Sequence, residues 1–189
     1  MAAKKKKTLN DLFYETLKDI YHAEKTLVKA LPRMAKAADS DDLREAFQHH
    51  LKETEGQVDR LEEVFKLIDQ PARAKTCKAI VGLTDEAKEI MKEFKSTHAL
   101  DAGLLAGAQA VEHYEISRYG TLKAWAEELG FDQAVGLLDA TLQEEKNADK
   151  TSFRSAAHAT DSTCSGCNPN AAATNALGQS APVVFRNNR

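Results

Sequence analysis

Val111-Glu112-His113-Tyr114-Glu115-Ile116 lies in the middle of a long segment whose apolar residues recur every three or four positions. On a helix turning 100° per residue, Leu104, Ala108, Val111, Leu122, Ala126 and Leu129 form one stripe, and Glu115 falls in its centre. Glu112, one turn earlier, borders the same face. An ionised carboxylate in a low-dielectric interior costs on the order of several kcal/mol unless it is paired, protonated or bound to a cation. The segment therefore predicts both a buried helix and a reason for its acids.

The same pattern appears nearer the start of the chain. Phe13, Leu17, Ile20, Leu27, Leu31 and Met34 define a second stripe in which Glu24 is the one charged member. Thr8 and Asp11 are spaced as a capping box at its start, and Pro32 predicts a kink near its end. Asp39-Ser40-Asp41-Asp42 opens another helix, carried toward Pro71 by Leu43, Phe47, Leu51, Val58, Leu61, Phe65 and Ile68. The central segment is expected to run from about His98 to Leu129, and a fourth from about Asp132 to beyond Leu142. Between the second and third lies a shorter amphipathic piece, Asp85 to Phe94. The expected fold is all-α: a four-helix bundle of two hairpins joined by one long crossover containing a short helix, plus a C-terminal extension.

The two halves are related by a repeat. The separations 115 − 24, 144 − 53 and 113 − 22 are all 91. Tyr21-His22-Ala23-Glu24 thus overlies Glu112-His113-Tyr114-Glu115, and Leu51-Lys52-Glu53 overlies Leu142-Gln143-Glu144; Leu31 and Leu122 match, as do Ala35 and Ala126. Glu53 flanks the stripe of the second helix, with His50 and Gln57 a turn to either side and facing inward. On the fourth helix the repeat selects Glu144, whereas the stripe through Leu138 and Leu142 favours Glu145; the repeat is followed here, with Asp149 one turn on. Like charges gathered in a core repel one another unless a multivalent cation joins them. Oxygen donors with few nitrogens suit iron or manganese.

Simpler roles compete for several of these residues. Arg60 and Arg118 are available to neutralise a single buried acid. His22 and His113 stand opposite their core stripes and are not expected to bind metal. His50 points inward as a ligand, as a hydrogen-bond partner of a ligand, or as a core histidine satisfied by a neighbour. Tyr114 and Tyr119 could serve redox chemistry, but packing is the expected role.

Composition bounds the rest. The 189 residues carry 26 basic and 29 acidic side chains, a net charge of −3, which does not favour a nucleic-acid partner. No uncharged apolar run nears the ~20 residues of a membrane span. Residues 1–7 form a basic arm, but polar Thr8-Leu9-Asn10-Asp11 stands where a secretory signal would be apolar, so a cytoplasmic location is expected. Cys77, Cys164 and Cys167 are too few for a disulfide scaffold, and the pair Cys164/Cys167 lacks a second pair of zinc ligands. Every lysine and glutamate lies within residues 1–150; residues 151–189 are rich in Ala, Ser, Thr and Asn and are expected to be a disordered or loosely docked tail beyond a bundle of residues 8–150.

Leu31-Pro32-Arg33-Met34-Ala35, Phe47-Gln48-His49-His50-Leu51-Lys52-Glu53-Thr54, Val111 to Ile116, Tyr119-Gly120-Thr121-Leu122 and Glu144-Glu145-Lys146 closely resemble the YciF-like bacterial stress-protein family of the ferritin-like superfamily, over about residues 8–150. The resemblance implies a ferritin-like bundle assembled as a homodimer, related to rubrerythrin and manganese catalase. It also implies a di-metal centre with one Glu from each of two helices and Glu-x-x-His from each of the others. Glu24 and Glu115 match the single acids, Glu53 and Glu144 those of the paired motif, and Glu112 adds a second acid as in rubrerythrins. The chain departs at the motif histidines, whose places hold Gly56 and Asn147, so Gln57, His50 or Asp149 would complete a modified shell. The expected function is a stress-response protein whose dinuclear iron or manganese site, held by Glu24, Glu53, Glu112, Glu115 and Glu144, reacts with peroxide or dioxygen as an oxidoreductase. The alternative is a non-catalytic helical adaptor with a vestigial or redox-inert site.

Overall fold

A computed structural model describes residues 6–162 of the chain, with side chains through Lys150. Five helices follow in order: α1 (Leu9–Ala37), α2 (Asp41–Leu67), α3 (Lys78–Glu93), α4 (Leu100–Leu129) and α5 (Asp132–Ser162). α1 packs on α2 and α4, and α5 packs on α4 and α2, which closes a four-helix ring; α3 lies outside it against α4 and α1. This is the all-α, ferritin-like bundle with a single crossover.

Local chemistry sets the boundaries. Thr8 and Asp11 form the capping box, with Thr8 N donating to Asp11 at 2.7 Å and Asp11 N donating to the Thr8 hydroxyl. Ser40 caps α2, and α1 runs through Pro32 to Ala37. Gly130 ends α4 in the left-handed region, φ 73°, where a side chain would be strained, and so allows α5 to begin two residues later. Asp101, in the first turn of α4, accepts from the backbone N–H groups of Asp39 and Ser40 at 2.9 and 2.8 Å. The α1–α2 turn is thereby tied to the second hairpin.

Three boundaries differ from those the sequence suggests. The crossover helix starts at Lys78 rather than near Asp85, because Cys77 caps it and Ile80 and Thr84 extend its buried face. α4 begins at Leu100 rather than His98. α5 continues through residues 151–162, where the change in composition suggested an unfolded tail; loss of Lys and Glu does not stop a helix already nucleated over several turns. Residues 163–189, with Cys164 and Cys167, lie outside the described residues. Among the described residues no helix is long and apolar enough to cross a membrane.

The core runs the length of the ring, from Phe13, Leu17 and Phe65 at one end to Leu31, Leu43 and Leu104 at the other. The crossover is held by backbone approach. A Cβ on Gly103 of α4 would stand 2.7 Å from Cγ2 of Ile90 on α3, whereas one on Gly107, a turn later, would meet nothing within 4 Å. Gly103→Ala is therefore expected to lower stability by about 1–3 kcal/mol despite better helix propensity, and Gly107→Ala to raise it by up to ~1 kcal/mol. Urea denaturation of the two variants measures the contrast.

Candidate metal centre

Halfway along the bundle the apolar core gives way to acids. His50 of α2, Glu112 and Glu115 of α4 and Glu145 of α5 each bring one ligand atom into a group whose members all lie within 4.8 Å of one another, and all four residues are buried. Glu24 of α1 completes the group from the fourth wall. It is wholly buried beside Glu115 and accepts the Tyr119 hydroxyl at 2.5 Å.

The donor atoms are largely unsatisfied. Glu24 Oε2, Glu112 Oε2, both oxygens of Glu115, Glu145 Oε2, Gln57 Oε1 and both ring nitrogens of His50 are buried without a hydrogen-bond partner. Buried polar atoms are nearly always paired, so this many unpaired acceptors around one point suit a bound cation. Their electrostatics point the same way. Burial, then the neighbouring Glu145, pushes Glu24 up to about 8. Burial and a hydrogen bond with Glu145 push Glu112 up to about 11. Glu115 is raised well above the ordinary carboxyl range by burial and by Glu24, Glu145 and Glu112. Burial raises the Tyr119 phenol as well, so it remains a proton donor to Glu24.

Other residues singled out in the sequence sit around this group. Glu145, not Glu144, enters the cluster. Glu144 turns outward onto Arg60, which donates Nη1 to its Oε2 at 2.8 Å and to the Thr141 hydroxyl at 2.8 Å, with Nη2 on Oε1. The helical stripe through Leu138 and Leu142 decides the matter, because it sets which side of α5 faces the core. Glu53 is likewise peripheral, 25% exposed and paired with His49 and His50 at 3.4 and 3.6 Å. Its carboxyl is held low by His50 foremost. Gln57 is buried and donates its amide to Glu144 and Glu145. Asp149 lies 3.0 Å from His113, and its charge also bears on Glu112. His22 accepts from the Cys77 N–H and stays out of the cluster.

Arg60 also bears on the missing imidazole, since its Nη2 stands 3.9 Å from where a Cβ on Gly56 would be. His50 supplies the nitrogen instead, its Nε2 lying 3.4 Å from Glu112 Oε1. Tyr119, for which the sequence favours packing, donates its hydroxyl to Glu24. The signal was present, for Tyr119 follows Glu115 by one turn on the same stripe.

The family model described as "Domain of unknown function (DUF892)" matches residues 8–163. The chain belongs to the DUF892 family. It is 43% identical to Protein YciF of Escherichia coli strain K12 over 144 residues, covering 76% of this chain and 87% of that protein. The crystal structure of the E. coli stress protein YciF superposes with a TM-score of 0.79 at 40% identity, over 82% of this chain and 99% of the other. YcfI of Rhodopseudomonas palustris, described as a candidate structural protein, gives 0.77 at 46% identity, over 81% and 98%. The chain is thus similar to one protein called a stress protein and to one described as a candidate structural protein.

In the metal-free protein, Glu24, Glu112 and Glu115 bind protons more tightly folded than unfolded, so stability falls as pH rises. The Glu24 contribution is whole below the ordinary value of 4.5 and is lost as pH climbs through about 8. Calorimetry of the chelator-treated chain is expected to show Tm decreasing between about pH 5.5 and 8.5. Glu24→Gln should flatten that decline and raise Tm at the alkaline end by about 2–4 °C.

Proposed function

We propose that the chain is a ferritin-like stress-response protein whose interior holds two iron or manganese ions and reacts there with peroxide or dioxygen. The observation that carries this reading is the charge balance of the cluster. Arg60 is committed to Glu144, while among the described residues Glu24, Glu115 and Glu145 are buried with no ion pair and Glu112 has only the His50 imidazole, 3.4 Å away. Four ionised carboxylates balance two divalent cations, and ionisation of all four together would be strongly opposed without them.

The chain's own residues divide the work. Glu115, with both oxygens unpaired, would hold the ions together with Glu112, Glu145 and His50, and Glu24 would add a carboxylate from α1. Tyr119 orients Glu24 and keeps a proton at its Oη, and Gln57 fixes one oxygen of Glu145. Leu27, Leu122 and Leu138 surround the site with apolar surface that excludes bulk water. Such a pair of ions, when bound, supplies two reducing equivalents and Lewis acidity toward an O–O bond. By the family resemblance the working unit is a homodimer.

A second reading, a structural protein with a redox-inert site, draws on the description of YcfI and on Gly56 and Asn147 in place of imidazoles. Metal analysis separates the two. After purification without chelator and reconstitution with ferrous or manganous ion, about two ions per chain are expected, with an absorption change on adding peroxide. Glu115→Ala and Glu145→Gln should each weaken metal retention by at least about 10-fold, and Glu144→Gln and Asp149→Asn should leave it near wild type. A colourless chain that takes up no metal, and in which Glu115→Ala changes only stability, would establish the structural reading instead.

A further inference from the structure

The two ends of the cluster are unlike. Toward Arg60, the gap is filled by Gln57, Thr141 and Glu144 in a hydrogen-bonded plug. On the opposite side the bundle is not filled. A cavity of about 130 Å³ lies between the first half of α2, α4 and Asn147 and Ala148 of α5, walled by Leu43, Phe47, Leu105 and Ala108, with His50 and Glu112 at its polar end. An apolar cavity of about 150 Å³ is large enough to hold a benzene molecule, so this one accepts a body of about four to six carbons.

Three features define what would fit. The walls are aliphatic and aromatic, which calls for an apolar body. At the inner end both ring nitrogens of His50, each 3.4–3.6 Å from a carboxylate, and Oε2 of Glu112 are buried without a hydrogen bond, and the two residues are 8% and 3% exposed, so a hydrogen-bonding head would be satisfied there. Glu53 and Glu112 both border the cavity and, among the described residues, no lysine or arginine does, which disfavours carboxylates, phosphates and other anions. A neutral molecule with a short carbon body and an O–H head meets all three.

We propose that this cavity binds a small neutral organic hydroperoxide, R–OOH, with R against Leu43, Phe47, Leu105 and Ala108 and the hydroperoxyl head at His50 and Glu112. The reaction of that ligand rests on the metal reading above; its binding does not. Reduction would break the O–O bond with two electrons, one from each of two divalent ions, and with one water as the proton source R–OOH would leave as R–OH and two hydroxides. The head would sit beside the cluster because His50 and Glu112 belong both to the cavity and to the group of converging ligand atoms. Hydrogen peroxide would gain nothing from the apolar walls.

Binding is tested on the metal-free full chain with tert-butanol, an unreactive stand-in for tert-butyl hydroperoxide, by ligand-observed NMR. Saturation transfer from the protein is expected for the wild type and should fall at least 5-fold in Ala108→Leu, which fills the cavity. Leu105→Ala, which enlarges it, should instead admit the bulkier cumyl alcohol, so the proposal does not hang on one variant folding. In the metal-loaded chain, single-turnover consumption of tert-butyl hydroperoxide should slow at least 10-fold in Ala108→Leu with hydrogen peroxide consumption unchanged. No transfer in the wild type, or transfer indifferent to both variants, overturns the proposal. Transfer that follows the variants in a chain that takes up no metal supports the cavity and removes the metal reading. Equal slowing with both peroxides overturns the assignment of the organic substrate.

Discussion

Mutual repulsion among four acids confined in an apolar bundle is the constraint around which the middle of this molecule is arranged. Each acid is delivered by a helix that has ample apolar surface elsewhere along its length: Glu24 between Ile20 and Leu27, Glu115 between Val111 and Leu122, Glu145 beyond Leu138 and Leu142. Packing of the ring forces the acids together, and the core on either side tolerates the cost locally. The neighbours then manage charge at the margins, with Tyr119 on Glu24, Gln57 on Glu145 and Arg60 on Glu144.

That management is uneven along the bundle. The Arg60 end is closed by an ion pair and several hydrogen bonds, so an incoming molecule would have to break them. At the His50 end the walls are apolar, a void remains, and buried polar atoms lack partners. A bundle core is normally filled, and Ala46 and Ala108 leave space where longer aliphatic side chains would close it. The void and the imidazole lie on the same side.

The change in histidine position fits this polarity. In the superfamily pattern the imidazole follows its paired glutamate by three residues, whereas here His50 precedes Glu53 by three. The shift moves the ring by about 9 Å along α2, from the end where Arg60 now stands to the cavity end. One nitrogen donor is thereby kept in a site otherwise made of oxygens, and its placement differs from that of either lost imidazole. The 91-residue repeat survives in a different sense from that first read: Glu53 and Glu144 do correspond, and both are peripheral acids paired with a neighbouring base.

Helical periodicity, caps and the placement of Glu24, Glu112 and Glu115 inside the bundle follow from order along one helix, because a fixed 100° per residue assigns each side chain to a face without knowledge of its partners. His50 and Gln57 were legible as inward for the same reason. Other facts required the packed molecule. Glu144 and Glu145 differ by one residue and hence by about 100° of rotation, so the choice between them depends on how α5 is seated against α2 and α4. Arg60 reaching Glu144, Tyr119 reaching Glu24 and the void beside Ala108 are likewise meetings between residues far apart in the chain. Sequence order determined which acids face inward; tertiary packing alone decided which of them meet, which find a cation within the chain, and where space is left, since those depend on distances between helices that no single helix contains.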